Sequence, residues 1–220
     1  ANSVTYTYRP VNPHSLVTKT DASTISFYLG ADDLAAIKVS TIYREKVTSY
    51  LALDVGFIKA LASDDYNAAI SNATALQVNT YTPDESRVGF LRFDLDMSLG
   101  NIKLYFSEPV KVLSFKIDGL AIQSSANGKG AYFRFVEEGT SLISSTNYDR
   151  ILEVALGRTN MNAIKSNSIL CTNQENCWLS SWKEFVVDTQ DNLNSNNIIH
   201  FNRYYIKKSK SIWHYNHQIL

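Results

Sequence analysis

The chain has no net charge. Lysine and arginine together number 21, as do aspartate and glutamate, and only 19% of the 220 residues are charged. A neutral protein creates no long-range field that would gather a phosphate backbone or an anionic lipid surface. No run of residues approaches the roughly 18 apolar side chains that cross a bilayer. We therefore expect that the protein neither binds nucleic acid nor inserts into a membrane.

Cysteine is scarce, with only Cys171 and Cys177 in the sequence. Their spacing can close a disulfide, whereas two cysteines supply only half of a zinc site. We predict the disulfide and, because disulfides persist in oxidising surroundings, an extracellular or cell-surface location. Asn72-Ala73-Thr74 is an N-glycosylation sequence, so Asn72 is a candidate glycosylation site.

The sequence also lacks the short motifs of hydrolases, nucleotide-binding enzymes and zinc enzymes. A carboxylate pair for glycoside hydrolysis would have to come from Glu108, Glu137 and Glu138, and nothing in the sequence around them would raise one pKa. We predict that the protein is not an enzyme and uses no cofactor.

Two alternatives concern binding. Aspartate pairs could supply oxygen ligands for calcium at a domain junction, or could form acidic solvent-exposed faces. These pairs are Asp94 with Asp96, and residues 32–33 with 64–65. Surface glycans are an alternative partner, with Trp178, Trp182 and Trp213 as candidates for stacking on sugar rings. In a strand, however, Trp178 and Trp182 would share a face and pack in the core or at an interface.

The sequence does contain an internal repeat. Residues 25–38 resemble residues 152–165 at an offset of 127, and the match continues after one inserted residue. The further matches are 50–53 with 178–181 and 57–59 with 185–187. A period of this length is too long for one turn of a solenoid and fits one β-sandwich module.

The local patterns are those of β-strands. Apolar and polar side chains alternate, as strands with one buried face require, in residues 93–97, 102–107 and 152–156. Asn127-Gly128, between two apolar runs, predicts a β-hairpin. Short helices are predicted in the two matched segments, where Asp32 and Asn160 are candidate N-caps.

The first copy of the repeat is short. Several strands precede the matched segment of the second copy, whereas only 24 residues precede Ile25 in the first. An incomplete sandwich leaves an apolar face and a strand edge open. The predicted organisation is an extension at 1–24, an incomplete domain at 25–80, a complete domain at 81–197 and a second extension at 198–220.

Residues 93–110 contain Phe-Asp-Leu-Asp-Met, a glycine turn and a strand ending in Phe-Ser-Glu-Pro-Val. This pattern resembles the opening of immunoglobulin-like repeats in very large secreted or surface proteins of microbes. Residues 156–192 resemble the second half of that repeat, although Gln190-Asp191 stands where a glycine is expected. The resemblance implies an all-β fold of two tandem immunoglobulin-like β-sandwiches, the first incomplete. It also implies a role as a spacer, stalk or filament, without shared catalytic residues.

The shortened first copy is also similar in architecture to subunits of pilus-like fibres. Our hypothesis is therefore a structural subunit of an extracellular fibre or surface appendage, in which copies of the chain form a helical homopolymer by donor-strand complementation. The predicted donor strand is Val4, Thr5, Tyr6, Thr7 and Tyr8, and the predicted acceptor cleft is Ile25, Phe27, Leu29, Leu51 and Leu53. The C-terminal stretch 201–220 is a second source of a filling strand. The alternative is a monomeric tandem adhesin, completed by its own N-terminal residues, or a glycan-binding surface module.

Overall fold

The structure, a computed structural model, describes residues 17–19, 24–40, 42–60 and 63–194. The chain divides into two compact units, Ala1–Glu85 and Ser86–Leu220. The described residues form mostly antiparallel β-sheets with two α-helices, which agrees with the predicted all-β class. Within these ranges neither helix is long and apolar enough to cross a bilayer.

The first unit contains two small antiparallel sheets in its described residues, one of β1 and β2 and one of β3 and β4. Its elements are β1 (Val17–Lys19), β2 (Ile25–Phe27), α1 (Ala31–Val39), β3 (Tyr50–Leu51) and β4 (Leu76–Gln77). Two 3-10 turns lie at Lys46–Thr48 and Asn72–Thr74. Strands of two or three residues bury little surface, so each of these two-stranded sheets contributes little stability by itself.

The second unit has longer strands in two sheets. Its strands are β5 (Phe90–Asp96), β6 (Asn101–Lys111), β7 (Leu120–Gln123), β8 (Tyr132–Arg134), β9 (Ser141–Leu142), β10 (Tyr148–Ala155) and β11 (Trp178–Ser181). Its helices are α2 (Arg158–Ser166) and 3-10 turns at Val112–Ser114, Ile117–Gly119 and Gln174–Asn176. The strand orders are β5-β6-β10-β9 and β11-β7-β8.

Both sheets of the second unit contribute to one hydrophobic core. The four-stranded sheet buries Ile102, Leu104, Leu152 and Val154 completely, and the three-stranded sheet buries Leu120, Ile122 and Leu179. In β6 these side chains are separated by half-buried polar ones, as the predicted alternation requires. Burying one such aliphatic side chain stabilises the fold by about 1.5–3 kcal/mol. The core therefore lies between the two sheets of this unit.

Two turns explain how the strands of the second unit follow one another. Between β5 and β6, the Asp96 Oδ1 atom accepts hydrogen bonds from the backbone N–H groups of Ser98 and Leu99 at 2.8 and 3.0 Å. Gly100 then adopts a φ of +75°, a value that is unfavourable for residues with a Cβ atom. The predicted hairpin around Gly128 is confirmed by the antiparallel pairing of β7 with β8.

The two α-helices occupy equivalent positions in the repeat. Each has nine residues, at an offset of 127, and begins after a glycine of nearly identical backbone geometry: φ −62° and ψ 158° at Gly30, and φ −62° and ψ 159° at Gly157. The predicted capping by Asp32 and Asn160 is wrong, because these glycines are the N-caps. A Cβ atom on Gly157 would overlap the carbonyl oxygen of Glu138, so close backbone packing at this point requires glycine.

Asn160 anchors α2 to the loop that follows β8. Its side chain is fully buried, and its Oδ1 atom accepts a hydrogen bond from the Val136 N–H at 2.9 Å. Its Nδ2 atom donates to the Val136 carbonyl oxygen at 2.7 Å and to Thr140 Oγ1 at 2.8 Å. The side-chain amide thus pairs with a backbone in the way that a neighbouring strand would. Asp33, the equivalent residue of α1, is also fully buried.

Candidate functional site

The first unit exposes an unusual amount of apolar surface. Among the side chains of this unit whose burial the structure describes, Ile37 is the only buried apolar one, whereas 13 large apolar or aromatic side chains are exposed. We call this set the exposed apolar surface; its members are Phe27, Tyr28, Leu34, Val39, Tyr43, Val47, Tyr50, Leu51, Val55, Phe57, Ile58, Tyr66 and Leu76. Exposed surface of this extent marks a place where a partner binds, or else a site of aggregation.

The repeat identifies which of these side chains belong in a core. Phe27 is 42% exposed, whereas Val154 at the equivalent position of the second unit is fully buried. Leu51 is 41% exposed, and its counterpart Leu179 is fully buried. Positions that the second unit uses for its core are therefore open to solvent in the first.

Phe57 gives the sharpest contrast. It is 57% exposed, whereas its counterpart Phe185 is 1% exposed. The Phe185 ring lies 5.9 Å from that of Phe90 in β5 and 6.2 Å from that of Phe106 in β6. The described residues of the first unit contain no strand equivalent to β5 or β6, and the only ring contact that Phe57 makes there is with Phe27, at 6.4 Å.

The predicted acceptor residues lie in or next to β2 and β3. Phe27 and Leu51 are exposed, as a cleft that receives another strand requires, whereas Leu29 and Leu53 are half-buried. The backbone of Leu53 pairs in antiparallel fashion with Ile70 of the same unit, so that position already has a strand neighbour. Ile25 pairs with Lys19 of β1. The predicted donor, residues 4–8, and the C-terminal stretch 201–220 lie outside the described residues.

Sequence reasoning missed Phe57 and Ile58 as part of this site. Ile58 is 36% exposed, and its counterpart Val186 is buried. The repeat could have identified both residues, because the match of residues 57–59 with 185–187 aligns them with apolar positions of the complete copy. We therefore add both residues to the candidate acceptor cleft.

Two tyrosines hold the backbone near β3. The Tyr43 hydroxyl donates to the Tyr50 carbonyl oxygen at 3.1 Å, and the Tyr81 hydroxyl donates to the Tyr43 carbonyl oxygen at 2.9 Å. Tyr43 has a φ of +58°, a strained value for an aromatic residue. Partial burial raises the pKa of the Tyr43 phenol. These contacts fix the start of β3, next to the exposed Leu51.

The two tryptophans that the structure describes do not both pack in the core. Trp178 is half-buried at the start of β11, and its indole N–H donates to the Glu175 carbonyl oxygen at 3.0 Å. Trp182 follows the end of β11 and is 45% exposed, so it does not pack in the core. The Arg134 guanidinium lies 4.3 Å from the centre of the Trp182 ring, so a sugar stacking there would compete with a cation. Trp213 lies outside the described residues.

The acidic pairs serve local structure. Asp96 closes the turn before β6, as described above, and Asp94 accepts a hydrogen bond from the Tyr105 hydroxyl at 2.7 Å. Burial, and then the bond to Asp94, raise the pKa of Tyr105. In the part of the chain that the structure describes, none of the predicted calcium ligands belongs to a cluster of three groups close enough to hold an ion. Of these predicted ligands, Asp94 and Asp96 line a shallow depression of about 230 Å³, together with Leu95, Leu99, Asn101, Lys103 and Glu153.

Cys171 and Cys177 are joined by a disulfide in the structure. The loop between them contains a 3-10 turn in which Asn173 Oδ1 accepts hydrogen bonds from the N–H groups of Glu175 and Asn176. Asn72, the candidate glycosylation site, lies at an exposed 3-10 turn of the first unit.

Replacing both cysteines by serine is expected to lower the free energy of unfolding of the second unit by about 2 kcal/mol. The reason is that the disulfide restricts a short loop of the unfolded chain. Urea unfolding under oxidising conditions measures the change, and a reductant should destabilise the unaltered chain but not the double-serine variant. Identical transitions for the two proteins without reductant would contradict the prediction.

We compared the chain with protein family models, with curated proteins and with solved structures, and none of these comparisons finds a match.

Proposed function

We propose that the protein is a structural subunit of an extracellular fibre, in which a strand from one copy docks into the first unit of the next. In this proposal each unit is one immunoglobulin-like sandwich, and only the second is complete within its own part of the chain. The equivalent glycine-capped helices α1 and α2 support the common origin of the two units. The disulfide supports the extracellular location.

The observation that carries the proposal is the exposure of Phe27, Leu51 and Phe57, whose counterparts are buried in the second unit. Because each of these residues is about half exposed, each forfeits about 1 kcal/mol of hydrophobic stabilisation when it remains uncovered. A docked strand would cover several of them at once, and its backbone would add ladder hydrogen bonds to a sheet edge. Because the donor and the acceptor are different surfaces, the contact repeats head to tail and produces an open polymer.

The first test removes the donor segment. We expect the full chain to form filaments and a version lacking residues 1–12 to form none, because the truncated chain has an acceptor but no donor. Electron microscopy and size-exclusion chromatography of both proteins measure this. A stable monomer in both cases would contradict the proposal and favour the monomeric tandem adhesin, whose first unit closes on its own N-terminal residues.

A matched pair of substitutions separates strand docking from a loose N-terminal tether. Tyr6→Ser should abolish filaments, since alternate residues of a donor strand enter the cleft, and Tyr6 shares a face with Val4 and Tyr8. Thr7→Ser changes a neighbouring side chain on the other face and should leave filaments intact. Equal effects of the two substitutions on filament yield would argue against a strand.

A further inference from the structure

The second unit shows which strand the first unit needs. In the second unit β10 lies between β9 and β6. In the first unit β2 is the counterpart of β10, and its partner β1 is placed as β9 is, with Val17 opposite Phe27 as Leu142 is opposite Val154. Among the described residues, the first unit thus has an equivalent of β9 but none of β6.

The β6 strand contributes three alternating side chains to the core. Ile102 and Leu104 are fully buried, and Phe106 is 3% exposed and packs beside Phe185. The strand runs antiparallel to β10, with Ile102 opposite Val154 and Leu104 opposite Leu152. A strand that completes the first unit in the same way must carry three alternating apolar side chains, with an aromatic one near Phe57.

A single segment outside the described residues has this pattern. Val4, Tyr6 and Tyr8 are three consecutive alternating apolar or aromatic side chains. Neither the rest of residues 1–16 nor residues 195–220 contain three such side chains in alternation. Shifting the segment by two residues in either direction would place Asn2 or Pro10 in the cleft, and proline also removes a ladder hydrogen bond.

Resting on the fibre proposal above, we infer that residues 4–8 of a second copy lie antiparallel to β2, in the place that β6 has beside β10. The register of β6 on β10 then places Val4 opposite Phe27, Thr5 opposite Ser26 and Tyr6 opposite Ile25. Tyr8 takes the place of Phe106 and covers Phe57.

The short connection to β1 explains why the donor comes from another copy. A strand antiparallel to β2 runs parallel to β1, because β1 and β2 are themselves antiparallel. Parallel strands of one sheet need a crossover of about a dozen residues or more. Only residues 9–16 separate Tyr8 from Val17, and they include Pro10 and Pro13. This connection is shorter than such crossovers usually are, which favours a donor from another copy.

Cysteine cross-linking tests the register in the full chain. Directly opposed residues of antiparallel strands have Cβ atoms about 4.5–5.5 Å apart, close enough for a disulfide after small adjustments. The T5C/S26C variant, assembled and mildly oxidised, should give a ladder of covalent multimers on a non-reducing denaturing gel, and reductant should collapse the ladder to the monomer. The T7C/S26C variant is the matched control, because Thr7 lies on the same face two residues along. We expect it to give at least about tenfold less multimer.

Electron microscopy of each preparation separates the inferred register of the donor strand from the proposal that the chain forms a fibre. Filaments with an equal or stronger ladder from T7C/S26C, or with no ladder from either variant, would overturn the inferred register and leave the fibre standing. A cross-linked monomer from T5C/S26C would show that the chain completes itself and would overturn donation between copies. Absence of filaments from the unaltered chain would overturn the proposed function as well.

Discussion

Replacing Phe185 by alanine is expected to lower the free energy of unfolding of the second unit by about 3–5 kcal/mol. The ring is 1% exposed and contacts Phe90, Phe106 and Phe115, with ring centres 5.9 to 6.2 Å away. Its removal leaves a cavity that these aromatic neighbours cannot fill without displacing the backbone that carries them. Urea unfolding followed by near-ultraviolet circular dichroism measures the loss.

Phe57→Ala is the matched control at the equivalent position of the repeat. Because this ring is 57% exposed, its removal should change the stability of the unassembled chain by at most about 1 kcal/mol. The same change should nevertheless prevent filaments, since it removes the side chain that a docked strand would cover. If Phe57→Ala instead destabilised the monomer as much as Phe185→Ala does, the first unit would already have a closed core in solution.

Asn160→Ala is expected to destabilise the second unit by about 2–3 kcal/mol. The substitution removes three hydrogen bonds at once and leaves the Val136 backbone without the partner that the buried amide supplies. The measurement is again the free energy of unfolding, from urea titration at neutral pH.

Asn162→Ala provides the control for this prediction. Asn162 lies two residues further along α2 and is exposed, so its loss should change stability by no more than about 0.5 kcal/mol. Asn160→Asp should destabilise the unit at least as much as Asn160→Ala at neutral pH, because a fully buried carboxylate would face the Val136 carbonyl oxygen with no hydrogen to donate. Equal stabilities of the alanine variants at positions 160 and 162 would contradict the anchoring role of Asn160.

The strands of the second unit could be predicted from sequence because their side chains alternate between core and solvent. Ile102 and Leu104 in β6, and Leu152 and Val154 in β10, are buried where the pattern places them. The hairpin at Gly128 was also predictable, because its turn requires a positive φ of +69° that glycine adopts readily. These features depend on local pattern and on backbone freedom, which the sequence carries directly.

Other features depend on contacts between distant residues. Asn160 looks like a helix cap in the sequence, and only the loop at Val136, 24 residues earlier, reveals that the side chain bonds to another backbone. Trp182 shares a period-two face with Trp178, but β11 ends at Ser181, so the expected burial does not follow. The exposure of Phe57 was missed because an apolar residue in a matched segment favours a buried position. Whether a strand covers Phe57 depends on the arrangement of strands in the whole unit.

The close packing at Gly157 has a consequence for how distant relatives of this chain can be recognised. A side chain at this position would collide with the backbone at Glu138 and Gly139, so substitution should be rejected even where the rest of the sequence drifts. The spacing from this glycine to the buried Asn160 and Ile164 is Gly-x-x-Asn-x-x-x-Ile, and the first unit keeps it as Gly-x-x-Asp-x-x-x-Ile from Gly30. Two such octapeptides about 127 residues apart form an evolutionary signature that could identify homologues too divergent for overall similarity.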